Sequence, residues 1–145
     1  MAQFPEPDVT RGFVQYLNPD HLHKNRAFTQ VVSVTGPVKT IYVGGQNALD
    51  EQGNIVGRGD IKAQTQQVLA NLRQALAAAG AEPEHIIKWS VYLLQGQSMQ
   101  EGFAAFQQFW GYRPNPPAIT GFYVAGLANP DFLVEMEAIA VVPLP

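Results

Sequence analysis

The 145-residue chain contains no cysteine. That absence excludes disulfides, thiolate nucleophiles and thiolate zinc sites together, and it suits a reducing cytosol. Charge is also scarce, at 14 % of residues, against roughly 25 % in an average globular protein. A chain so poor in charge is expected to cover part of its surface with copies of itself. The nine Lys and Arg are scattered and the net charge is −3, so no basic stripe faces a phosphate backbone and nucleic acid is not an expected partner. No run approaches the roughly 18 apolar residues of a membrane span. The start MAQFPEPDVT has neither the basic residues nor the apolar stretch of a signal peptide. A cytoplasmic protein without membrane contact is expected.

What is present reads as one α+β domain, since a chain of this length buries enough surface for a single core. Residues 1–27, rich in Pro, Asp, Asn and His around GFVQYL, read as an N-terminal arm, and residues 28–145 as the domain. FTQVVSV and KTIYVGGQ are β-branched and aromatic runs joined by TGP, a hairpin signal. NALDEQGN is a polar loop, followed by a short candidate strand at NIVG. Ile61, Thr65, Val68, Leu69, Leu72, Leu76 and Ala79 recur at helical spacing, with Asp60 to cap the helix and Gly80 to end it. In HIIKWSVYLL, Ile87, Trp89, Val91 and Leu93 alternate with polar neighbours as in a strand. Ser98 and Glu101 form a capping-box pattern before a second helix carrying Phe103, Phe106 and Trp110 on one face. Strands near 119–125 and 132–141 complete a mixed six-stranded sheet with two helices on one face. The other face, with VVSV, IYV and WSVYLL, is too apolar for solvent and is expected to be covered in an oligomer.

This order, with IYVGGQNALDEQGNIVG, the AAG that ends the long helix before KWSVYL, the Pro-Ala before ITGFYV, and the closing VEMEAIAVV, resembles the RidA/YjgF family of reactive-intermediate deaminases, also called endoribonuclease L-PSP-like. The resemblance spans about residues 27–142. It implies a chorismate-mutase-like fold, a homotrimer with clefts between subunits, a small-molecule ligand, and no metal or cofactor. In archetypal members an arginine after the Pro-Ala clamps the substrate carboxylate, and the first glutamate of the last strand positions the water that hydrolyses an imine or enamine. Guanidinium suits the first task through two parallel hydrogen bonds, and a carboxylate suits the second as a base. Glu135 matches that glutamate, but Ile119 stands where the arginine would be. Phe28 replaces a usual tyrosine, Gly44 a serine, and Phe103 an asparagine.

The resemblance therefore implies a cleft re-lined for a less charged ligand. Its expected lining is Phe28, Gly44, Gly45, Phe103, Arg113, Ile119, Thr120 and Gly121, with Glu135 as the catalytic candidate. The backbone N–H groups of Thr120 and Gly121 are candidate donors to a carbonyl or anion. Arg113 in YRPNPP is the nearest replacement cation. At about 3.1 Å per extended residue it lies roughly 19 Å up the chain from Ile119, so it serves a neighbouring copy or is a solvated loop residue. Glu137 shares a strand face with Glu135, about 7 Å away. His21 and His23 have the spacing of a metal pair without a third ligand, and GGQ lacks the elements of a phosphate loop. Two functions follow: hydrolysis of an imine, enamine or related carbonyl metabolite lacking a free carboxylate, or non-catalytic metabolite binding and regulation through the same cleft.

Overall fold

The computed structural model describes residues 10–145; the absence of a signal peptide in the first nine residues is a reading that lies outside them. Strand β1 (Phe13–Leu17) pairs antiparallel with β2 (Val31–Thr35) as a separate two-stranded sheet. Strands β3 (Val38–Gln46), β4 (Ile86–Leu94), β5 (Ala118–Val124) and β6 (Val134–Pro143) form a second sheet in the order β3-β6-β4-β5. Only β4 and β5 are parallel. Their connection carries helix α2 (Met99–Trp110), while α1 (Ile61–Ala78) joins β3 to β4 through a 3-10 turn at Pro83–His85. A parallel pair requires such a crossover, and its helix packs back on the sheet.

Both helices cover the same face. The residues at even positions along β6, including Val134, Met136, Ala138 and Ala140, meet Val68, Leu72 and Leu76 of α1 and Ala105 and Trp110 of α2 in one buried cluster. Trp89 of β4 is held edge-on by Phe106 and Phe109, with ring centroids 4.8 and 5.8 Å away. The α1 ends behave as their residues dictate. Asp60 accepts from the Ala63 N–H, and Gly80 (φ +78°) lets its own N–H reach Ala77 O while Ala81 N–H reaches Leu76 O, the bond pair of a Schellman stop. Ser98 accepts from Glu101 N–H at the start of α2.

Several expectations are corrected. The strands number six, but they lie in two sheets, and the sixth is Phe13–Leu17 rather than NIVG. Around NIVG only an isolated Leu49–Ile55 bridge forms. The runs flanking TGP are strands that do not pair with each other, because β2 pairs with β1 and β3 with β6. In β4 the ladder slips between Ile86 and Lys88, so Ile86, Trp89 and Leu93 are the buried residues and Ile87 leaves the alternation. A bulge inserts one unpaired residue and reverses the parity that strict alternation assumes.

Candidate functional site

Apart from Arg113, the expected site residues fall into two groups on opposite faces of the four-stranded sheet. In the register, Ile119 lies beside Trp89, and Trp89 beside Ala138, so Ile119 shares the helix-covered face. There a cavity of about 290 Å³ opens between the helices and the β5 end of the sheet, lined among others by Phe28, Thr65, Phe103, Ile119 and Gly121. No charged side chain lines it. Its polar side chain, Thr65, donates its hydroxyl to Ile61 O at 2.7 Å, leaving that proton unavailable to a ligand.

The rim nevertheless offers hydrogen-bond donors. Pro117 O accepts from Thr29 N–H, while Val124 O accepts from Gln95 N–H at the end of β4. In a parallel ladder a residue's N–H and C=O point the same way and alternate along the strand. Ala118, Thr120, Phe122 and Val124 therefore bond toward β4, and Ile119, Gly121 and Tyr123 point their amides to the outer edge. Of the two donors expected, Gly121 keeps its place, but Thr120 turns its N–H into the sheet and its hydroxyl to Lys88 Nζ at 2.6 Å. Ile119 supplies the other edge amide.

Glu135 stands on the opposite face, on the strand two removed from β5 and roughly 10 Å away by strand spacing. Asn47 Nδ2 donates to its Oε1 at 3.0 Å. The Asn47 carbonyl is in turn held by Asn71 Nδ2 at 3.0 Å, and Asn71 Oδ1 accepts from Gln67 at 2.9 Å. Helix α1 thereby fixes the loop that fixes one carboxylate oxygen. The β3 ladder slips between Val43 and Gln46, bringing Gly45 so close that a methyl group there would lie 2.6 Å from Glu135 Oε2. Gly45 is thus the residue that gives the carboxylate room. Beside it, Tyr92 donates to Glu137 at 2.6 Å and stacks on Phe122 at 5.4 Å. Gly44 borders an adjoining hollow of about 370 Å³ with Lys88, Ser90 and Glu137.

Arg113 lies with neither group. Its guanidinium donates to Phe109 O and Trp110 O, each at 2.9 Å, and its Nε lies 3.4 Å from Glu84. It satisfies the carbonyls at the C-terminus of α2, a common task of arginine at a helix end. Asn47 and Asn71 escape a sequence reading because a polar loop and a polar helix position give no periodic signal. No group of three or more His, Asp or Glu among the described residues is arranged to hold a metal, and no helix there is long and apolar enough to cross a membrane.

Comparison with known proteins defines the class. The family model described as endoribonuclease L-PSP matches residues 20–142, and the chain belongs to this family. A RutC family protein of Pyrococcus abyssi is 34 % identical over 100 residues, 69 % of this chain and 76 % of that one. A RutC family protein of Synechocystis is 32 % identical over 117 residues, 80 % and 86 % of the two chains. The solved structure of a Rid family protein of unknown function from Yersinia pestis superposes with a TM-score of 0.74 at 29 % identity, covering 89 % of this chain and 98 % of that one. Escherichia coli TdcF, solved with bound serine, gives 0.65 at 28 % identity, covering 71 % and 80 %. The fold is the chorismate-mutase-like one, as the resemblance implied.

Proposed function

We propose that the chain binds a small uncharged imine or related carbonyl metabolite in the apolar cavity and hydrolyses it, as a homotrimer in which the β5 edge of one copy meets Glu135 of another. The observation that carries this reading is the cavity's composition: edge amides at Ile119 and Gly121, no cation, and a carboxylate that cannot reach it from the same chain. TdcF takes serine, an amino acid carrying both charges; a cavity without charged groups is unfavourable for such a ligand, because unpaired ions lose their hydration there. Family membership supports a small-molecule role in general terms, and the substrate class rests on this lining.

In the proposed reaction the edge N–H groups hold the imine nitrogen and polarise C=N. Glu135 Oε2, left free while Asn47 holds Oε1, takes a proton from water as its oxygen bonds to the imine carbon. Glu135 passes that proton to nitrogen to give the neutral amino alcohol, then relays the proton of the new hydroxyl to nitrogen as the C–N bond breaks, releasing ammonia or an amine and leaving a carbonyl product. The test is turnover of a panel of imines generated in situ. Neutral imines should be hydrolysed and 2-imino acids barely so. Ile119→Arg should improve use of 2-imino acids about ten- to a hundredfold, the size of a charge-assisted contact of roughly 1.5–3 kcal/mol, and Glu135→Ala should abolish the gain. Brisk wild-type turnover of 2-imino acids, or no turnover of any neutral imine, overturns the proposal; binding without turnover identifies a ligand-sensing module instead.

A further inference from the structure

We infer that the cavity under α2 is shaped for a neutral ligand carrying an aromatic ring, and that Gly102 and Gly121 set the size of ring it admits. This rests on the reading of that cavity as the ligand site, and extends it from charge to shape. The volume of about 290 Å³ is roughly twice the 150 Å³ that accommodates benzene in an engineered apolar cavity. A ring with a short neutral substituent, on the order of ten non-hydrogen atoms, fills such a space. Phe28, Phe103 and Phe106 supply aromatic walls, and Met99 a deformable one. Phe103 and Phe106 stack at 6.2 Å and 22°, presenting ring surfaces at the spacing aromatic pairs favour. The thioether of Met99 adapts to a ring edge.

The glycines carry the argument furthest. Gly102 lies inside helix α2 and Gly121 inside strand β5. Neither has the positive φ found at Gly36, Gly57, Gly80 or Gly111, so the backbone does not require glycine at either place. Both positions carry a cost, since glycine is unfavourable within helices and weakens strands. What glycine provides there is space. A methyl group at Gly121 would meet no atom within 4 Å, and one at Gly102 would meet only Thr65 Oγ1, at 3.8 Å. Both residues line the cavity, from the helix side and from the sheet side, so a larger side chain at either would stand where the ring lies. With the ring there, a carbonyl or imine substituent reaches the edge amides of Ile119 and Gly121.

The probes are 4-fluoroacetophenone, its charged counterpart 4-fluorobenzoate, and butanone as a ketone without a ring, each followed by fluorine or proton NMR titration against the full chain. 4-Fluoroacetophenone should bind at least tenfold more tightly than either of the others. Intermolecular NOEs from its ring should reach the Ile119 and Val91 methyl groups in wild-type protein, which places the ring without any substitution. Gly121→Val and Gly102→Leu should each weaken binding tenfold or more, with the unfolding midpoint showing that the fold is kept. Equal binding of benzoate or butanone, NOEs only to residues outside the cavity, or unchanged binding in two folded variants overturns the inference. Ring binding without imine turnover would leave it standing and remove only the hydrolytic reading. Hydrolysis of short aliphatic imines at rates indifferent to Gly121→Val would do the reverse.

Discussion

At the scale of single residues, the polar face of the sheet is organised by short pairings rather than by exposed charge. Tyr92 is the clearest case. Its hydroxyl donates to Glu137, and this bond, followed by desolvation and the negative charges of Glu137 and Glu135, holds the phenol above its ordinary value. The proton is kept more firmly in the folded state than in the unfolded one. The contribution to stability is therefore complete below the ordinary tyrosine range and is lost as pH rises through the raised folded value. The difference in phenolate absorbance between wild type and Tyr92→Phe should titrate above free tyrosine, and Glu137→Gln should move it down. A Tyr92 titration unaffected by Glu137→Gln would separate the two groups. The pairing is half legible in the sequence: alternation sets Tyr92 and Glu137 on one face, but not within reach of each other.

At the scale of elements, Gln64 shows what periodicity conceals. It sits on the inward face of α1 and is fully buried. Its amide nitrogen donates to Gly57 O at 3.1 Å and Asp131 O at 2.9 Å, while its oxygen accepts from Leu133 N–H at 2.9 Å. One side chain thus joins the helix to the loop before it and to the approach to β6, with the Arg58–Asp131 ion pair outside. Gln64→Leu would keep the volume and strand two polar groups, Asp131 O and Leu133 N–H, each costing about 1–3 kcal/mol when buried without a partner, while Gly57 O keeps the Asp60 N–H. A loss of roughly 3–5 kcal/mol in urea unfolding is expected; a loss under about 1 kcal/mol would mean that water replaces the amide. An apolar pattern predicts the α1 face, and a glutamine on that face breaks the pattern without announcing its partners. The bulge in β4 is hidden for a similar reason, because HIIKW offers two adjacent isoleucines and only the ladder chooses between them.

At the scale of the whole molecule, the chain leaves apolar surface open: Tyr42 is 78 % exposed, Tyr123 53 % and Phe122 45 %. Together with the unpaired amides of the β5 edge, this surface supports the homotrimer proposed above, since an open edge and exposed aromatics favour a partner. Light scattering in dilute solution should give about three times the chain mass of 15.9 kDa. A monomer would leave Glu135 and the cavity permanently on opposite faces and would remove the proposed hydrolysis. The separation also follows from a rule no residue list contains: in a sheet, a shift of one position in register exchanges the faces.

The sequence by itself determined the elements whose signals are local. Side-chain spacing, the Asp60 cap and the Gly80 stop defined α1; Ser98 and the aromatic stripe defined α2; alternation found the long strands. It also set the uncharged Ile119 directly after Pro117 and Ala118, since that is a matter of residue identity. Tertiary structure alone decided what depends on contacts between distant segments. It placed Phe13–Leu17 in a pair with β2, put Glu135 and Ile119 on opposite faces, gave Asn47 its carboxylate, and turned Arg113 into a cap for α2. Hydrogen-bond partners, register and cavity volume are set by long-range packing, where the free energy of a residue depends on neighbours far away in the chain, and no local pattern encodes which neighbours those are.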